Sequence, residues 1–147
     1  MKDTMSNNTP KVFLDTNILL DYQEGRSNEV AAVESLFDAS MDNTVELCIA
    51  AHSLPNIFYI IRKDYSVEER QQIVLNFNTL CTVVPISADS IEKAINSSYS
   101  DDLEDALQIE CALEAGCDYF LSRDEELLKI SPINAMLPHT LAEKLKL

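Results

Sequence analysis

A chain of 147 residues, 46% of them apolar, fits one compact domain with a sizeable core and is too apolar for a disordered segment. Its 25 acidic and 11 basic residues give a net charge of −14, the opposite of the basic footprint usual in a protein whose main work is gripping nucleic acid. Two glycines, with no Gly-x-Gly-x-x-Gly and no Walker A sequence, exclude the common phosphate loops.

Residues 1–10 are polar, lack an apolar signal core and read as a flexible tail, leaving 11–147 as a single domain. Residues 11–14 read as a buried strand that ends in Asp15-Thr16-Asn17, where a short helix with Ile18, Leu19, Leu20 and Tyr22 begins. Ser27 is placed to cap a second helix carrying Val30, Val33, Leu36 and Phe37. Residues 45–50 read as the second strand. Ser53 is then read as the cap of a third helix, with Pro55 tolerated in its first turn and Arg62-Lys63 at its end. Ser66 and Glu69 have capping-box spacing for a fourth helix.

Residues 81–86 make the third strand, and 88–98 an amphipathic helix with Ile91, Ala94 and Ile95 on its apolar side. Asp101 and Glu104 start the next helix, which Gly116 stops. Residues 119–122 form a fourth strand, 124–130 a short helix and 134–137 a fifth, edge strand. Thr140 and Glu143 cap the last helix. Short apolar strands alternating with helices predict one three-layer α/β/α domain around a parallel sheet of four to five strands.

The apolar run CIAAHSLPNIFYII is interrupted by His52, Ser53, Pro55 and Asn56, so no membrane span is expected. The four cysteines show no Cys-x-x-Cys and no His at zinc spacing. Cys48 and Cys81 read as core residues of a reduced, cytoplasmic protein. His52 and His139 are isolated and read as structural or surface residues.

Four carboxylates stand where a strand ends or a helix begins: Asp15, Asp102, Asp105 and Asp124. Helix capping accounts for each one alone, least well for Asp105, which lies past the cap. Taken together they come from three strand-to-helix edges, where an open α/β sheet binds ligands. Crowded carboxylates repel unless a cation joins them, and all-oxygen ligands suit a hard divalent ion.

With those residues, the chain resembles the PIN domain family, in particular the toxin ribonucleases of bacterial type II toxin–antitoxin pairs. VFLDTNILLDY is similar to the family's first motif, and DDLEDALQIECALEAGCDYFLSRD to its third and fourth run together. The resemblance spans residues 12–137. It implies Asp15, Asp105 and Asp124 as catalytic metal ligands, Asp102 as an accessory ligand, and Thr16, Asn17 and Ser122 as supporting polar groups. Many members carry a Glu on the helix after the second strand. Asn56 stands there in this chain, with an amide oxygen and no charge, which lowers the expected metal affinity. Glu104 points one residue away from Asp105 and is the weaker substitute.

The resemblance implies Mg²⁺- or Mn²⁺-dependent hydrolysis of RNA phosphodiesters, with 5′-phosphate and 3′-hydroxyl products. It also implies a small antitoxin protein as partner, and a homodimer. Arg62, Lys63 and Arg123 are the candidates for contacting RNA phosphate, although Arg62 and Lys63 read first as solvated helix-end charges. The alternative is a PIN-fold module that binds protein or RNA without cleaving, which Asn56 and the net charge favour. A receiver-like phosphotransfer domain ranks last, because no suitable Lys follows a strand.

Overall fold

A computed structural model describes residues 8–147. Residues 1–7, most of the expected tail, lie outside the described residues. Five strands, β1 (Lys11–Leu14), β2 (Glu46–Ala50), β3 (Thr82–Val84), β4 (Tyr119–Leu121) and β5 (Asn134–Met136), make one sheet in the order β3-β2-β1-β4-β5. Every pairing is parallel. The helices are α1 (Thr16–Glu24), α2 (Val30–Met41), α3 (Ser53–Ile60), α4 (Val67–Leu80), α5 (Ala88–Asn96), α6 (Leu103–Glu114), α7 (Glu125–Ile130) and α8 (Pro138–Leu145). A 3-10 turn, Ile61–Lys63, continues α3.

Alternation along the strands splits the core in two. Val12, Leu14, Leu47 and Ile49 face a cluster with Ile18, Leu36, Ile57, Phe77 and Leu141, from α1, α2, α3, α4 and α8. Phe13, Cys48 and Phe120 face the other way, toward Ile109 and Ala112 of α6 and Leu127 of α7. Phe13 and Phe120 stack with centroids 5.3 Å apart. Because both faces are covered, the strands read in sequence as continuous apolar runs.

The chain leaves β1 toward β2 and β3, then crosses to β4 on the other side of β1. The carboxyl ends of β1 and β4 therefore border the crevice where such sheets bind ligands. The Asp15 N–H donates to the Leu121 carbonyl at 3.0 Å, which holds the two strand ends together.

Several local signals hold. Ser66 and Glu69 close the capping box of α4. Gly116, with φ of 69°, ends α6 in a left-handed turn, its N–H on the Leu113 carbonyl. Other caps differ from expectation. His52, not Ser53, occupies the N-cap of α3, and Ser53 is a fully buried first-turn residue. Ser27 accepts from the Glu29 N–H one turn before α2 and is not its N-cap. Asp102, not Asp101, caps α6. Helix α8 starts at Pro138, upstream of Thr140, because proline suits a first helical position. On α5, Ser90 and Ala94 are buried while Ile91 and Ile95 are exposed. The Ser90 hydroxyl bonds Glu114 across the α5–α6 contact, which turns the helix away from its apolar stripe.

Candidate functional site

The site begins with Asp15, only 2% exposed, at the end of β1. Its Oδ2 accepts the Ser122 hydroxyl at 2.6 Å, and its Oδ1 accepts the Gln108 amide at 2.9 Å. The Asn17 N–H reaches Oδ1 at 3.4 Å, so Asp15 also caps α1. Gln108 in turn takes the Thr16 N–H at 2.9 Å and the Thr16 hydroxyl at 3.2 Å on its Oε1. The Thr16 hydroxyl meets Ser53 Oγ at 2.6 Å. Residues of α1, α6 and the β4–α7 loop thus converge on one carboxylate, and Ser53 of α3 joins the network through Thr16. Burial raises the Asp15 pKa above its ordinary value. The bonds from Ser122, Gln108 and Asn17 oppose that rise, and the Asp124 charge adds to it.

Asp102 is the N-cap of α6 and Asp105 lies in its first turn, where the Asp105 N–H donates to Asp102 Oδ1 at 3.0 Å. No hydrogen bond to the Asp105 carboxylate is found among the described residues. Its pKa is pushed up to about 6 by partial burial and by Asp102, Asp15, Asp124 and Glu104. Asp124 caps α7 through the Glu126 and Leu127 N–H groups, and its own N–H donates to Ser122 Oγ at 3.0 Å. Asp15, Asp105 and Asp124 therefore share one electrostatic neighbourhood. As placed, no three His, Cys, Asp or Glu side chains among the described residues form a group that could hold one ion. The donors are hard oxygens in mutual repulsion, the chemistry a divalent cation relieves.

Asn56 lies half-buried on α3, with its amide 3.4 Å from Glu104 Oε2. Burial, Asp102 and Asp15 raise the Glu104 pKa. Glu104 thus stands closer to the acidic crevice than its direction on the helix suggested, because its longer side chain reaches across toward α3. Arg62 is folded back on its own helix, donating to the Tyr59 carbonyl at 2.9 Å and lying over the Tyr59 ring. It and Lys63 sit at the end of α3 remote from Ser53, about 13 Å along the axis. Arg123 is in the β4–α7 loop, and its Nε donates to Asp21 Oδ2.

Sequence reasoning missed Gln108, the role of Ser53, and Asp21. Gln108 was within reach of the helical rule, since it lies three residues beyond Asp105 on the same face. Ser53 and Asp21 carried no such signal. His52 is half-buried, its ring nitrogens meet no hydrogen-bond partner among the described residues, and burial lowers its pKa against the opposing charge of Asp15. His139 of α8 is tied at 2.8 Å to Glu29, which precedes α2, a contact that involves none of these acids.

The chain is 29% identical over 123 residues to "Ribonuclease VapC1" of Aquifex aeolicus, covering 80% of this chain and 84% of that protein. The fold superposes on DNA-bound VapBC from Salmonella typhimurium with a TM-score of 0.66 at 16% identity, covering 88% of this chain and 99% of the other. It also superposes on Mycobacterium tuberculosis VapC20, described as a Sarcin-Ricin loop cleaving toxin, with a TM-score of 0.64 at 12% identity, over 84% and 97% of the two chains. A family model described as "PIN domain" matches residues 11–126, which include Asp15, Asp102, Asp105 and Asp124, and the chain belongs to the PIN domain family.

Proposed function

We propose that the chain is a metal-dependent endoribonuclease and the toxin of a toxin–antitoxin pair. The observation that carries this reading is Asp15: a buried carboxylate at the β1–β4 switch point, electrostatically joined to Asp105 and Asp124, in a PIN domain. Similarity to a ribonuclease over most of both chains supports it.

Asp15, Asp105 and Asp124 would hold Mg²⁺ or Mn²⁺, with Asp102 accessory. When bound, such an ion lowers the pKa of its water and offsets charge on the phosphate. Ser122 and Gln108 fix the two oxygens of Asp15, and Thr16 and Ser53 fix Gln108, so the carboxylate meets its ligand without reorienting. Glu104, held beside Asn56, returns part of the negative charge that Asn56 lacks. Asn17 and Arg123, both exposed and each next in sequence to residues of this acid cluster, would contact the substrate backbone.

An RNA substrate, a small antitoxin protein and a cytoplasmic setting belong to the same reading. No helix among the described residues is long and apolar enough to cross a membrane. The net charge of −14 favours a partner that presents basic side chains. Incubating a mixed RNA pool with the purified protein tests the activity: cleavage with Mg²⁺ or Mn²⁺, none with a chelator and none with Asp105→Asn. The second reading, a module that binds without cleaving, is favoured by Asn56 and by the net charge of −14. RNA binding without cleavage in the same assay would select it.

A further inference from the structure

We propose that Asp21, Arg26 and Arg123 form a subsite for the backbone phosphates of single-stranded RNA beside the acidic crevice, with Asp21 positioning both guanidinium groups. The proposal rests on the ribonuclease reading above. Asp21 is on α1 and only 6% exposed. Arg123 Nε donates to its Oδ2, and Arg26 Nη2 lies 3.7 Å from its Oδ1. The two arginine side chains are 46% and 59% exposed, respectively. Arg123 sits between Ser122, which bonds Asp15, and Asp124.

A buried carboxylate needs one cationic partner to offset its desolvation. Asp21 has two, so the group carries one excess positive charge in a chain of net charge −14. If Asp21 served only to tether the β4–α7 loop, Arg123 alone would be enough. Arg26 is surplus to that task. Each guanidinium carries five N–H donors in a fixed fork, and one contact to Asp21 leaves most of them for a phosphate. The excess charge also lies next to the strand end where the scissile phosphate would sit, so an extended RNA strand could place a neighbouring phosphate on it.

The test is fluorescence anisotropy of a short single-stranded RNA over a salt series, with divalent ions chelated. The proteins are wild type, Arg26→Gln, Arg123→Gln, the double variant and Asp21→Asn, with Tm measured on each. Each arginine removed should lower the slope of log K against log salt by about 0.7. Between about 50 and about 200 mM salt, wild type should then lose about sevenfold more affinity than the double variant. Asp21→Asn removes a negative charge, so charge alone would tighten binding. Positioning predicts weaker binding despite that gain. A lower Tm with an unchanged salt slope, or tighter binding by Asp21→Asn, would overturn the proposal. Cleavage of the RNA pool, scored separately, distinguishes the two readings. Wild type that binds with the expected slope but never cleaves sinks the ribonuclease reading and leaves the subsite. Wild type that cleaves beside an unchanged slope in the double variant does the reverse.

Discussion

Replacing Asp105 with Asn should stabilise the metal-free protein. The Asp105 carboxylate is pressed by burial and by four other acids, which push its pKa from 3.8 up to about 6. At about 1.4 kcal/mol per pH unit, that corresponds to about 3 kcal/mol of unfavourable interaction once the group is ionised. Asp105 is only half-buried, so solvent screening reduces the working figure to about 1 kcal/mol. The folded state holds the proton to higher pH than the unfolded chain does. The cost is therefore absent below the unfolded pKa, grows as pH rises from about 4, and is complete above about 6. Asn keeps the size and removes the charge, and the Asp105 N–H bond to Asp102 belongs to the backbone and survives.

Thermal unfolding of both proteins, in chelator and low salt across this pH range, measures the effect. Asp105→Asn should melt about 3 °C above wild type at pH 7 and level with it near pH 4. Added salt should narrow the gap, because the repulsion is between partly solvated charges. Taking the difference between the two proteins cancels the titration of carboxylates remote from Asp105, while Asp15, Asp102, Glu104 and Asp124 titrate together with it and contribute to the measured gap. An Asn variant that melts at or below wild type at pH 7 would refute the reasoning, since the acids would then be no burden to the fold.

Gln108→Leu should cost about 2 kcal/mol in chemical denaturation, because it leaves the buried Thr16 N–H without its partner and Asp15 Oδ1 with only the longer bond from the Asn17 N–H. Ser122→Ala removes a bond that lowers the Asp15 pKa, so the pH midpoint of Mn²⁺ binding, followed by calorimetry, should move upward. His139→Ala should cost about 1 kcal/mol and speed hydrogen exchange in α8 selectively, because it removes the ring contact to Glu29 and leaves only the backbone N–H bond to that carboxylate.

Most of the fold was legible because it depends on local signals. All five strands were found, since a parallel sheet covered on both faces demands continuous apolar runs such as VFL and LCIA. Cap residues were less legible. Ser53 and His52 differ by one position, and tertiary contact with Thr16 decided which became buried. Ile91 and Ile95 looked like a core stripe by spacing, yet Ser90 took the buried position through its bond to Glu114. The acids of the site were legible because they punctuate strand ends. Their polar support was not, because Gln108 is 93 residues from Asp15 in sequence and meets it only once α6 has packed against the sheet. The same holds for Asp21 and Arg123, 102 residues apart.

The energetics of Asp15 separate a cap from a functional carboxylate. A side-chain N-cap is worth about 1 kcal/mol, and Ser, Thr or Asn supplies it as well as Asp does. Burying an ionised carboxylate costs several kcal/mol before compensation. Asp15 is 2% exposed, and its single capping bond to Asn17 is its longest at 3.4 Å, so capping does not account for an acid at this position. Asp15→Asn tests this directly. The amide keeps an oxygen acceptor for Ser122 or for Gln108, and it carries no charge to desolvate. The variant should fold with a Tm within a few degrees of wild type while losing metal-dependent RNA cleavage. Loss of folding together with activity would make Asp15 a structural residue. Retained cleavage would remove it from the metal set. Intact folding with no cleavage is the outcome expected of a carboxylate kept for its charge, in a setting where a neutral residue would serve the fold at lower cost.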